Sequence, residues 1–138
     1  LNSTPPFSVT ADWHEQKKIF VRDGYDAPDA HKKVKLYDSY LQKMETALRD
    51  RNWLAGDDYT FADIAMTPYV MRLDMMSMQG MWQGGRLPKV EAWLEQVKAR
   101  DNFQGAIWDW MPDELTNQLA ENGAKSWPEV AEILNIDQ

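Results

Sequence analysis

Apolar residues recur along this chain at helical spacing, and nowhere do they alternate as a half-buried strand would. Val34, Tyr37, Leu41, Met44 and Leu48 are separated by 3, 4, 3 and 4 positions, with Lys, Asp, Gln and Arg filling the other faces. That stripe is one side of a helix reaching about Arg51. Pro28 reads as an early-helix proline that restarts the chain ahead of it. Upstream, residues 1–8 read as an extended lead-in because two prolines resist helix. Ser8 or Thr10 can then cap a first helix from about Thr10 to Asp23, with Val9, Trp13 and Phe20 on one side. Gly24 stands where a helix stop is wanted.

The segment Asn52-Trp53-Leu54-Ala55-Gly56-Asp57-Asp58 is turn-like, with Trp53 and Leu54 as a buried anchor. A capping box follows. Thr60 is the expected N-cap and Asp63 lies three residues later, so each side chain can serve the other's backbone N–H. Tyr59 and Ile64 flank the box as a hydrophobic staple. The helix so opened, Phe61 to about Met78, is apolar nearly all round: Ile64, Ala65, Met66, Tyr69, Val70, Met71, Leu73, Met75 and Met76. Such a helix belongs in the middle of a bundle. Pro68 inside it removes one hydrogen bond and bends the axis without ending it.

Gln79 to Arg86, with three glycines, reads as a flexible connection. Pro88 opens a helix to about Arg100, apolar at Val90, Trp93, Leu94 and Val97. After Phe103 come Trp108, Trp110 and Met111, and then an acidic helix start at Pro112-Asp113-Glu114. That short helix carries Leu115 and Leu119 and is expected to stop at Gly123. Ser126-x-x-Glu129 reads as a second capping box for a last helix with Val130, Ile133 and Leu134. The expectation is one all-α domain over residues 1–138, a bundle of about six helices around a buried central one.

Composition narrows what such a bundle does. Hydrophobic residues are 43% of the chain, enough to bury a core rather than remain disordered. Seven Trp and eight Met fill irregular core gaps or line an apolar pocket, and composition does not separate the two uses. The net charge of −7 repels a phosphate backbone, and the cluster Lys32, Lys33 and Lys35 sits among Asp29 and Asp38 as a solvated helix face. Nucleic acid is not an expected partner. The absence of cysteine excludes disulfides and thiolate chemistry within the chain and permits a cytoplasmic setting. No apolar run approaches the ~20 residues of a membrane span. His14 and His31 fall in separate helices, so no metal site is expected. The chain begins at Leu1 rather than Met, which fits processing or a piece of a longer protein.

The stretch Trp53-Leu-Ala-Gly-Asp-Asp-Tyr-Thr-Phe-Ala-Asp-Ile-Ala-Met-Thr-Pro-Tyr-Val resembles the C-terminal domain of glutathione transferases. That family writes a Leu-Ala/Gly-Gly loop and then Ser/Thr-x-x-Asp opening its central helix. Leu87-Pro-Lys-Val-Glu-Ala-Trp-Leu and Arg100-x-x-Phe103 are similar to the next helix, with Arg-Asp-Asn-Phe where the family usually ends in Arg-Pro-x-Phe. The likeness is good over roughly residues 30–104 and only suggestive on either side. It implies that glutathione is held by an N-terminal thioredoxin-like domain, with a cis-proline and a thiol-activating Tyr, Ser or Cys. None of those motifs occurs in these 138 residues, so no residue here is expected to be catalytic.

The resemblance further implies that this half gives one wall of a pocket for a small hydrophobic electrophile, from its first helix and its tail, and much of a homodimer interface. Trp13, Lys17 and Phe20 share a face at spacings of 4 and 3. They are either core packing with a snorkelling lysine or part of that wall, and Trp108 and Trp110 divide in the same way. The alternative is a non-catalytic interaction module, since similar domains mediate assembly of translation factors and aminoacyl-tRNA synthetase complexes. The acidic charge and the lack of a basic appendage favour the enzyme.

Overall fold

In a computed structural model, residues 8–136 are described and fold as six α-helices: α1 Ser8–Asp23, α2 Ala30–Ala47, α3 Phe61–Met75, α4 Pro88–Lys98, α5 Phe103–Ala106 and α6 Asp113–Leu134. There is no strand among the described residues, only a tight turn in which Trp53 and Gly56 exchange backbone hydrogen bonds. The lead-in expected for residues 1–7 lies outside the described residues, as do the capping side chains of Ser8 and Thr10 and the facing of Val9. α1 ends where Gly24 takes a left-handed φ of 57° that costs a residue without Cβ nothing. Pro28 is not in the first turn of α2. Asp29 follows it with φ 64°, so the helix begins only at Ala30 and the proline sits in the turn.

The core joins four segments. Leu41 and Met44 of α2, with Leu48 just after it, meet Val70, Met71 and Leu73 of α3 and Val90, Trp93, Leu94 and Val97 of α4. The fourth segment was not legible as core. Met78, Met81 and Trp82 are buried, so the link after α3 is a packed 3-10 turn rather than a flexible connection. Its glycines misled the reading. Gly80 lies so close to the Trp127 indole that no side chain fits there.

α3 is central but not enclosed. Asp63, Thr67, Val70, Met71 and Leu73 face inward, whereas Phe61 is 86% and Tyr69 55% exposed. Its all-round apolar sequence therefore covers the core on one side and leaves an apolar surface on the other.

α6 corrects two expectations. It runs unbroken through Gly123 and Ser126, with Pro128 also inside it. Gly123 is buried against the backbone of Met76 at the end of α3, which makes it a close-approach glycine and not a stop. The Ser126 hydroxyl donates to the Asn122 carbonyl one turn earlier, an interior back-bond instead of a cap. Ser77 Oγ donates to the Ala120 carbonyl at 3.1 Å and pins the same junction.

The start of α4 is capped from a distance. Its N-cap residue Leu87 offers no side-chain acceptor, and the carboxylate of Glu45 on α2 takes the N–H groups of Lys89 and Val90, each at 2.9 Å to Oε2. A negative charge on the positive helix end adds to those bonds. Glu45→Ala is expected to lower stability by about 1 kcal/mol. Urea unfolding midpoints equal for the two proteins would remove Glu45 from this role.

Candidate functional site

A concavity of about 740 Å³ opens between α2, α3 and α6. Pro68, Tyr69, Arg72 and Leu73 line it from α3, Lys33, Val34 and Tyr37 from α2, and Val130 from α6. Met76, Met78 and Met81 form the floor beyond α3, and Tyr25 closes the end nearest α1. A second cavity of about 310 Å³ continues from it, sharing Tyr37, Tyr69 and Leu73 and adding Tyr40, Leu41, Met66 and Val70. Together they make a groove with apolar walls and phenol hydroxyls at its edges. Methionine walls adapt to irregular shapes because the thioether is flexible and polarisable.

Charge at the groove is positive. Arg72 is exposed and has no ion pair among the described residues, while Lys33 Nζ lies 3.7 Å from the centroid of the Phe20 ring. Burial, and then the negative charge of Glu129, push the Tyr25 phenol above its ordinary range, against a hydrogen bond with Ser126 that pulls it down. The phenol thus stays protonated.

Behind the groove, a polar junction holds α3 in position. Asp63 is wholly buried and accepts from the N–H of Leu54, the N–H of Thr60 and the indole Nε1 of Trp93, each at 2.9 Å, and from the Thr60 hydroxyl at 3.2 Å. Thr60 Oγ1 in return accepts from the Ala62 N–H at 3.3 Å, which completes a reciprocal cap. Burial alone would raise the Asp63 carboxyl; the bonds from Leu54, Thr60 and Trp93 outweigh it and hold the group below its ordinary value of 3.8. This is a structural site. Every lone pair with a partner is aimed at the protein itself.

Tyr59 and Ile64, the staple residues, line one small cavity together, although Ile64 keeps 49% of its surface exposed. The Tyr59 ring meets Trp53 edge-on at 4.9 Å between centroids. The five aromatic and basic residues singled out as pocket wall are not gathered in the large groove. Trp13 is 54% exposed with the Lys17 ammonium 3.5 Å above its ring. Phe20 is half-buried and borders a shallow depression with Gln16, Ile19, Pro28, Asp29 and Lys33. Trp108 packs edge-on against Phe103, and Trp110 is 79% exposed with its Nε1 donating to the Gly105 carbonyl. The groove residues Tyr25, Tyr69, Arg72 and Met76 escaped the sequence reading. A helix apolar all round does not mark Tyr69 and Met76 as surface. Among the described residues no group of His, Asp and Glu is arranged to hold a metal ion.

The sequence profile of the glutathione S-transferase C-terminal domain matches residues 12–96. Tetrachloro-p-hydroquinone reductive dehalogenase of Sphingobium chlorophenolicum is 33% identical over 66 residues, which cover 48% of this chain and 26% of that protein. The 2,5-dichlorohydroquinone reductive dechlorinase of Sphingobium indicum is 32% identical over 74 residues, covering 51% of this chain and 21% of the relative. The matched stretch thus spans about a quarter or less of these curated relatives. No solved structure gives a significant match.

Proposed function

Because the chain belongs to the glutathione S-transferase family through its C-terminal domain, we propose that it supplies the apolar wall of an electrophile pocket in a glutathione-dependent enzyme and is not catalytic alone. The observation that carries this reading is the groove of about 740 Å³ between α2, α3 and α6, which has methionine and leucine walls, tyrosine hydroxyls and two cations at its edge. A chlorinated hydroquinone, the kind of molecule for which the relatives are named, presents a flat apolar ring with two opposed oxygens. Its ring suits Leu73 and Met76, and its oxygens suit Tyr25, Tyr37, Tyr69 and Arg72.

The residues of this chain do not fit glutathione itself. There is no cysteine, no strand among the described residues and no thiol-activating pair. Thiol binding and activation therefore fall to a thioredoxin-like N-terminal domain of the parent, and the reaction is conjugation or substitution at the bound electrophile. The exposed Trp13, Lys17 and Trp110 then serve the boundary with that domain, and the parent acts as a cytoplasmic homodimer. Family membership and the apolar surfaces left on α2 and α3 support the boundary and the dimer.

Titrating 2,5-dichlorohydroquinone into the protein under a reducing atmosphere should shift the NMR signals of Tyr37, Tyr69 and Leu73. Tyr69→Ala, at an exposed position, should weaken that binding several-fold without unfolding. Glutathione should be consumed no faster than without protein. Shifts scattered away from the groove, or turnover by the chain alone, would overturn the proposal.

A further inference from the structure

A separate cavity of about 310 Å³ adjoins the large groove at Pro68. Ile64, Pro68, Val97, Phe103, Ala106 and Ile107 give it apolar walls, and Arg100 is the one charged residue lining it. Arg100 follows the end of α4, and its guanidinium carbon lies 3.7 Å from the centroid of the Tyr59 ring. Stacking sets the guanidinium plane but leaves its in-plane donors unused. The Nε–H is enclosed and meets no acceptor. No carboxylate among the described residues pairs with this arginine, although the chain carries 22 acidic residues against 15 basic ones. The Arg22 and Arg86 guanidinium groups each have an aspartate partner.

An arginine remains charged wherever the protein is folded, so its donors call for an anionic acceptor. The planar fork matches a carboxylate, which brings one charge and two coplanar oxygens. A phosphate dianion would leave a second charge against Ile64, Phe103 and Ile107. The Asn102 amide on the same wall offers a further donor. We propose that this cavity binds a small aryl or alkyl carboxylate, with the apolar body against Phe103 and Ile107 and the carboxylate on Arg100. The site is distinct from the electrophile groove and does not depend on that reading.

The test uses the whole chain and a matched pair of probes, 2-naphthoate and the neutral 2-naphthamide, followed by NMR. Naphthoate should bind at least ten-fold more tightly, shift Tyr59, Ile64 and Ile107, and weaken as salt is raised. In Arg100→Gln, with folding checked by circular dichroism, the preference should fall below two-fold. The comparison of the two probes on the unsubstituted protein stands even if that variant fails to fold. Equal affinity for the two probes, or naphthoate shifts confined to Tyr37, Tyr69 and Leu73, would overturn the assignment.

Discussion

Asp63→Ala is expected to destabilise the protein by roughly 3–5 kcal/mol. The carboxylate is wholly buried, and beside the Thr60 hydroxyl three further donors end on it: the backbone N–H groups of Leu54 and Thr60 and the Trp93 indole. Removing it leaves those donors without acceptors in the interior, at about 1–3 kcal/mol each before relaxation. The three belong to different segments, so the loop before α3, the cap of α3 and the middle of α4 loosen together. Thr60→Ala should cost only about 1 kcal/mol, since it removes the hydroxyl but leaves the carboxylate in place. Urea denaturation separates the two outcomes. Equal losses for Thr60→Ala and Asp63→Ala would reduce Asp63 to a helix cap and nothing more.

The same carboxylate gives the fold an acid sensitivity of definite sign. Its proton affinity is lower in the folded protein than in the unfolded chain, where the value is near 3.8. The unfolded state therefore binds more protons as the medium acidifies. The stabilisation from Asp63 is complete above that ordinary value and is lost as pH falls through the lower folded one. Asp63→Asn, less stable at neutral pH, should lose correspondingly less on going from pH 5 to about pH 3. Parallel stability curves for the two proteins would contradict the assignment.

Gly123→Ala should be destabilising by roughly 1–3 kcal/mol or more, against the direction of helix propensity. In an exposed helix the change favours folding by about 1 kcal/mol. Here the new Cβ would stand 1.7 Å from the Met76 carbonyl oxygen and 2.4 Å from its carbon, both backbone atoms that cannot swing aside. α6 would have to part from the end of α3, breaking the Ser77 to Ala120 hydrogen bond and the packing of Trp127 on Gly80. Gly105→Ala is the control. Its Cβ meets only Asp109 Oδ2 at 3.7 Å, so the substitution should be neutral or slightly stabilising. Thermal unfolding that moved both variants in the same direction would show that α6 does not approach α3 so closely.

What the sequence determined by itself was whatever depends on neighbours along the chain. The 3, 4, 3, 4 stripe of α2 placed Leu41, Met44 and Leu48 in the core, because a helix repeats its faces every few residues whatever surrounds it. The Thr60–Asp63 spacing marked the start of α3 because a cap is a contact between residues three apart. The motifs that resemble the family lie in that same loop, cap and following helix, and the family match itself extends over residues 12–96. Tertiary structure decided everything that needs two distant segments. Glu45 caps α4 across 44 positions, and Trp93 reaches Asp63 across 30. Gly123 and Ser126 carry the local chemistry of a stop and a start, yet burial against Met76 keeps one helix running through both. Trp82 lies among glycines that suggest flexibility and is nonetheless buried in the core. Which face of α3 becomes wall and which becomes core could not be read from a helix apolar on every side. Only the placement of α2, α4 and α6 around it separates Tyr69 and Arg72, at the groove, from Met71 in the interior.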